Sequence, residues 1–183
     1  MASYNIAVIA GSLRKESYNR RLAQALIGLA PERLKPELVE IGDLPLFNQD
    51  HEKSPALAVS TFKAKIKSAD AVLFVTPEYN RSIPGVLKNA LDTGSRPYGE
   101  SAWLHKPAAI AGTSPGAMSS ALAQQHLRNV LTALDMPTMP QPEVFIHFAE
   151  GLISPGGTVS NEGTAKFLRS FLDAFVKWIE RNR

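Results

Sequence analysis

The sequence predicts an α/β fold, a parallel sheet of five strands with helices on both faces. Short, continuous apolar runs recur, among them residues 4–10, 71–75 and 107–111, and strands buried on both faces of a parallel sheet read this way. Between the runs lie segments whose apolar residues keep helical spacing. Three of the runs also end in loops rich in Gly, Ser, Thr, Asn and Pro. In an open parallel sheet, the loops at the carboxyl ends of the strands gather on one edge, and ligands bind there. Three distant segments are therefore expected to build one site.

The first strand, residues 4–10, leads through the loop 11–19 into a helix over about 19–30, where Leu22, Ala25, Leu26 and Leu29 share a face. Pro31 and Pro36 bracket the end of that helix. Residues 37–41 alternate in character, as suits a strand at a sheet edge, and 42–50 form a loop carrying the apolar Leu44, Leu46 and Phe47. A second helix runs from about 55 to 68, with Val59, Phe62, Ile66 and Ala69 on one side and Pro55 near its start, a position that suits proline. The third strand is 70–75. Pro84 opens a third helix over 85–93, ending near Gly94. The fourth strand is 107–111, and a fourth helix over about 118–134 buries Leu127, Val130, Leu131 and Leu134. Residues 143–148 form the fifth strand. A Gly/Pro/Ser turn at 154–157 precedes the last helix, whose Phe167, Phe171, Phe175 and Ile179 recur four apart as a core stripe. Right-handed crossovers join such strands. No internal repeat, linker or low-complexity tract divides the chain, so 1–183 is read as one domain.

Composition excludes several chemistries. Hydrophobic residues at 44% and charged residues at 20% describe a globular chain that buries a core. Cysteine is absent, which removes disulfides, thiolate catalysis and cysteine-ligated metal centres together. His51, His105, His126 and His147 are scattered without metal-ligand spacing, so no metal site is expected. The net charge of +3 favours an anionic ligand. Nucleic acid calls for clustered Lys and Arg, whereas here the basic residues are scattered among acidic ones; Lys63, Lys65 and Lys67 read as a solvated helix face. The start of the chain lacks the basic segment and apolar run of a signal peptide, and no stretch reaches the length of a membrane span. The expectation is a cytoplasmic protein without nucleic-acid or membrane partners.

The loop 11–19 joins a strand to a helix start, where unpaired N–H groups and the positive end of the helix dipole attract anions. Ser12, Ser17 and Asn19 add short polar side chains and Arg14 a fixed positive charge, a set suited to a phosphate monoester. Ser17 or Asn19 could equally cap the helix. The loop is neither a Walker A motif nor a Gly-x-Gly-x-x-Gly dinucleotide loop. In the second loop, Pro77 and Pro84 stiffen the ends of a segment holding Glu78, Tyr79 and Asn80. Its backbone groups, the Tyr79 ring and the Asn80 amide suit the polar edge of a planar heterocycle. The third loop, with Ser114 and Gly116, is small enough for backbone to approach a ring closely.

These residues resemble the NADPH-dependent FMN reductase family, especially its chromate/quinone reductase branch. The likeness rests on Gly11-Ser12-Leu13-Arg14-Lys15-x-Ser17-x-Asn19, on Thr76-Pro77-Glu78-Tyr79-Asn80, and on Ser82-x-Pro84-Gly85-x-Leu87-Lys88-Asn89-Ala90-x-Asp92. The resemblance implies a flavodoxin-like sheet in the order 2-1-3-4-5. It implies FMN, with its phosphate on Ser12, Arg14, Ser17 and Asn19 and its ring on Pro77, Glu78, Tyr79 and Asn80, with Ser114 and Gly116 nearby. The third loop departs from the family pattern: Ala117, Met118, Ser119 and Ser120 stand where many relatives carry further glycines.

The implied activity is hydride transfer from NADPH or NADH and reduction of a small acceptor such as a quinone, chromate, an azo compound or free flavin. Flavin chemistry needs no catalytic side chain, and none is assigned; Tyr79 is expected to line the site. A homodimer or homotetramer is expected from the resemblance and from Leu44, Leu46 and Phe47. Two other readings share the topology. A flavodoxin-type electron carrier is the alternative. A phospho-receiver domain needs acidic residues at the ends of the first and third strands, where this chain has Ala10-Gly11 and Thr76-Pro77.

Overall fold

A strand flanked by neighbours on both sides and helices on both faces has no wet surface, and its residues must all be apolar. The computed structural model, which describes residues 2–183, shows this for β1 (Tyr4–Ala10) and β3 (Ala71–Val75), whose side chains are nearly all buried. The remaining strands are β2 (Leu34–Leu38), β4 (Ala108–Ser114) and β5 (Val144–His147). All pairings are parallel and the order is β2-β1-β3-β4-β5. The helices are α1 (Tyr18–Gly28), α2 (Leu57–Ser68), α3 (Gly85–Ser95), α4 (Ala121–Ala133) and α5 (Glu162–Asn182), with one 3-10 turn at Gln49–His51.

The two-residue period of a strand splits the core into two layers. Ile6, Val8 and Ala10 of β1 pack with Leu22, Leu26, Phe171 and Phe175 of α1 and α5. Ala7 and Ile9 point the other way, to Phe62, Leu87, Leu91 and Leu127 of α2, α3 and α4. The stripe on α5 is core as expected, with Phe171, Phe175 and Ile179 fully buried. Among the described residues no helix is long and apolar enough to cross a membrane.

Three local readings change. The second strand begins at Leu34, earlier than expected, and contains Pro36. Since β2 pairs only with β1, it is an edge strand, where proline's missing N–H is tolerated. The fourth strand runs on to Ser114, because Ala111–Ser114 pair in register with Val144–His147. A Cβ at Gly112 would collide with the Ser120 hydroxyl and the Thr76 carbonyl, so this glycine is needed for close packing rather than for a turn.

Gly94 likewise does not end α3, which continues to Ser95. Its reason is Trp103, fully buried, whose indole N–H donates to the Leu91 carbonyl at 2.9 Å. A Cβ at position 94 would lie 2.5 Å from the indole nitrogen. Alanine gains about 1 kcal/mol of helix propensity over glycine, but overpacking a rigid indole costs about 1–3 kcal/mol or more. Gly94→Ala is therefore expected to lower the melting temperature by several degrees, read by circular dichroism. A rise would show that the indole moves aside freely.

Candidate active site

The parallel order brings the loops after β1, β3 and β4 to one edge, where Ser12, Ser17 and Asn19 are buried although polar. Ser17 is the N-cap of α1, its hydroxyl accepting from the Arg20 N–H at 3.3 Å. That hydroxyl keeps its own proton to donate. Asn19 ties α1 to the end of β4: its amide donates to the Thr113 carbonyl at 2.8 Å and accepts from the Thr113 N–H at 3.0 Å. Both helix-capping and ligand roles were open from sequence; the first belongs to Ser17, and Asn19 chiefly joins the first and third loops.

The cations around this loop divide by partner. Arg20 is bidentate on Glu40, at 2.8 and 2.6 Å, and this hydrogen bonding holds the Glu40 carboxyl below its ordinary pKa. Arg21 pairs with Glu16 at 3.1 Å. Arg14 donates only to the Glu16 carbonyl and lies 4.8 Å over the Tyr18 ring, which itself stacks on Phe148 at 4.0 Å. Among the described residues, Arg14 and Lys15 thus have no carboxylate partner. With the open N–H groups of the first turn of α1, they concentrate positive charge at this loop, an arrangement that attracts anions.

The second loop is held on three sides. Tyr79 and Ser82 exchange backbone hydrogen bonds at 2.9 and 3.0 Å around Asn80 and Arg81, whose φ angles are 50° and 68°. This is a two-residue hairpin turn with both central residues left-handed, which asparagine accepts easily and arginine does not. Asn80 sits exposed at the tip, so its conformation explains its presence as well as its amide does. The Tyr79 hydroxyl reaches the Ser12 hydroxyl at 3.5 Å, joining the first and second loops, while half of Tyr79 stays exposed. The Pro77 carbonyl accepts from the Thr76 hydroxyl at 2.9 Å. Glu78 turns its carboxylate to the start of α4, accepting from Leu122 N–H at 3.0 Å and Ala123 N–H at 3.2 Å. His126 Nδ1 and the Ser82 hydroxyl lie 3.0 Å apart.

The third loop braces itself. The Ser114 hydroxyl accepts from Gly116 N–H at 3.0 Å, and the Ser119 N–H donates to the Gly116 carbonyl at 3.0 Å. Gly116 and Tyr79 are exposed on this edge, as a ring-binding surface requires. The anchoring roles of Thr113, Leu122 and Ala123 escape a sequence reading because they act through backbone. One signal was available: the first turn of α4 carries no acidic residue, so its cap had to come from elsewhere.

Away from this edge, a groove of about 770 Å³ runs between α2, α3 and the loop 45–56. Leu46 on its rim is 83% exposed, and Phe47 beside it is partly exposed. Lys63 is not on a solvated face: it reaches the Arg96 carbonyl, and burial pushes its pKa down. Lys65 does face solvent, paired with Glu37 at 2.7 Å.

The comparisons with known proteins accord with this arrangement. The sequence model of the NADPH-dependent FMN reductase family matches residues 4–151. A quinone reductase of Pseudomonas putida is 52% identical over 181 residues, 98% of this chain and 97% of that one. A 2-hydroxy-1,4-benzoquinone reductase from a Burkholderia species is 49% identical over 178 residues, 97% of each chain. Among solved structures, the flavoenzyme NAD(P)H:(acceptor) oxidoreductase FerB of Paracoccus denitrificans superposes with a TM-score of 0.93 at 47% identity, over 98% of both chains. A polar loop at a helix start and a stiff hairpin on one sheet edge, in a chain matched over nearly its whole length, mark this protein as a member of the NADPH-dependent FMN reductase family.

Proposed function

We propose that this chain reduces quinones with electrons from NAD(P)H through bound FMN. The observation that carries the reading is the convergence of an unpaired arginine, two buried serine hydroxyls and a helix start with the exposed Tyr79 hairpin. The donor set fits the cofactor's phosphate: Ser12 and Ser17 retain hydroxyl protons, and Arg14 supplies a charge that no carboxylate neutralises. Asn19 supports the loop more than it donates. Pro77, Tyr79 and Asn80 would hold the ring, with Ser114 and Gly116 opposite; Glu78 contributes backbone only, because its carboxylate is engaged at α4.

When bound, FMN accepts the hydride and delivers electrons to the acceptor. The chain's own contribution is to bind, orient and exclude water. Tyr79 acts as a wall, and its hydroxyl orders Ser12. Chromate, azo dyes and free flavin are further acceptors to be compared with quinones in the same assay. Stopped-flow mixing of the FMN-loaded protein with NADPH and then benzoquinone tests the activity. Rapid bleaching and recovery of the flavin bands is the expected result; failure to bleach would identify a flavodoxin-type carrier instead.

Arg14→Ala is expected to weaken FMN far more than riboflavin, because only FMN carries the phosphate and a charge-assisted contact is worth about 1.5–3 kcal/mol. Equal losses, measured by quenching of flavin fluorescence, would remove Arg14 from the phosphate site.

Donor and acceptor are expected to alternate in one slot between the loops of adjacent strands β3 and β4, giving parallel steady-state lines when NADPH and quinone are varied together. Intersecting lines would require both to bind at once. In the same assay Tyr79→Phe keeps most of the activity, whereas Tyr79→Ala lowers both flavin retention and turnover.

The chain is also proposed to assemble as a homodimer or a pair of dimers, which would cover Leu46, Phe47 and the groove beside them. Light scattering should give a mass of at least twice 19.9 kDa at micromolar concentration. A monomer mass would refute this assembly and leave the flavin chemistry untouched.

A further inference from the structure

Glu78 lies between two residues of the ring-binding loop, yet its carboxylate serves another element. It accepts from the Leu122 and Ala123 N–H groups, at 3.0 and 3.2 Å, across 44 and 45 positions of sequence. These are N–H groups of the first turn of α4, which have no acceptor within the helix. The helix has no cap of its own: Ser120 at its N-cap position makes no capping bond, and its first turn has no acidic residue. Ser120 is committed elsewhere, its hydroxyl accepting from the Gln124 amide at 2.9 Å beneath Gly112. A carboxylate at a helix start gains both charge-assisted hydrogen bonds and the attraction of the dipole.

The same carboxylate joins two loops. The third loop runs directly from β4 into α4, so whatever fixes the first turn of α4 fixes the far end of that loop. At the other end of the second loop, Ser82 meets His126 on the next turn of α4. The Tyr79 hairpin is therefore flanked by two attachments to α4, of which Glu78 makes the charged one.

We propose that Glu78 is a positioning residue, a latch between the second loop and α4 that sets the width of the slot in which the flavin ring is held. The proposal rests on the flavin reading given above. It separates two effects of one bond: capping stabilises α4, and latching fixes the ring loop against the third loop. Capping can be replaced from within the helix; latching cannot.

The experiment uses the full chain as apoprotein, with FMN and riboflavin as probes, in four forms: wild type, Glu78→Gln, Glu78→Ala, and Glu78→Ala combined with Ala121→Asp, which returns a negative charge to the first turn of α4. Dissociation constants come from quenching of flavin fluorescence, and stability from thermal melting without flavin. Loss of the latch in Glu78→Ala is expected to weaken FMN and riboflavin by the same factor, roughly tenfold, since the bond lost holds the ring loop to α4 and leaves the phosphate end of the site untouched. Its melting temperature falls. Ala121→Asp restores the melting temperature but not the affinity, and Glu78→Gln, which keeps one acceptor, lies between wild type and Glu78→Ala. If Glu78→Ala does not fold, Glu78→Gln carries the same comparison of the two flavins. Unchanged affinities, a loss confined to FMN, or affinity that returns together with melting temperature in the double variant would each overturn the latch. A wild-type protein that binds neither flavin overturns the flavin reading itself, a result distinct from a wild type that binds and a Glu78→Ala variant that binds as well.

Discussion

The buried amide of Asn19 is the tie on which the site depends. It pairs both hydrogen-bonding groups of the Thr113 backbone, 94 residues away, and so joins the start of α1 to the end of β4. These groups lie on the β3 side of β4, beyond the last bonds between those two strands, and Asn19 is only 3% exposed. Without this partner a buried N–H and a buried carbonyl would each lose about 1–3 kcal/mol. The apolar layers position the strands, but they end below the loops. Above them, the geometry is kept by a few side chains bonded to backbone across the gap: Asn19 between the first and third loops, Tyr79 with Ser12 between the first and second, and Glu78 between the second and α4.

This arrangement has an electrostatic counterpart. Two of the four cations near the first loop are neutralised by a carboxylate: Arg20 by Glu40, and Arg21 by Glu16. Such exposed pairs contribute little to stability. What they do is select which charges remain open. Arg14, resting on the Tyr18 ring and free of carboxylates, stands beside the unpaired N–H groups of α1. The net charge of +3 favours anions only in general; the local distribution concentrates open positive charge at this one loop.

The topology by itself supports electron carriers and enzymes alike, because function resides in the loops at the sheet edge. In this chain the second loop is a rigid hairpin, and it keeps Arg81 at φ 68° although that conformation disfavours arginine. A half-exposed Tyr79 beside it leaves an accessible aromatic surface. A surface of this kind serves small planar molecules that come and go.

Much of the fold was legible in the sequence. A strand buried on both faces must be continuously apolar, so β1, β3 and β4 announce themselves, as does the aromatic stripe of α5. The polar loop 11–19 and the Pro77–Asn80 segment were legible because their residue types are unusual at the end of an apolar run. Other features were decided only by tertiary structure. Pro36 looked like a helix boundary because nothing local says that β2 lies at the edge, where its missing N–H is harmless. Gly94 looked like a helix end because the indole of Trp103, which excludes a side chain there, is brought in from outside the helix. The resemblance puts Asn19 and Glu78 among the flavin contacts, and the backbone partners that their side chains hold stay hidden there, because composition names a polar group but not its direction. Their partners are backbone atoms of Thr113, Leu122 and Ala123, and backbone is the same at every residue. Sequence by itself thus determined which segments are buried and which loops carry polar chemistry, since both follow from residue type and spacing; tertiary structure decided which of those polar groups bond to backbone across the loops, since that depends on contacts between residues far apart in the chain.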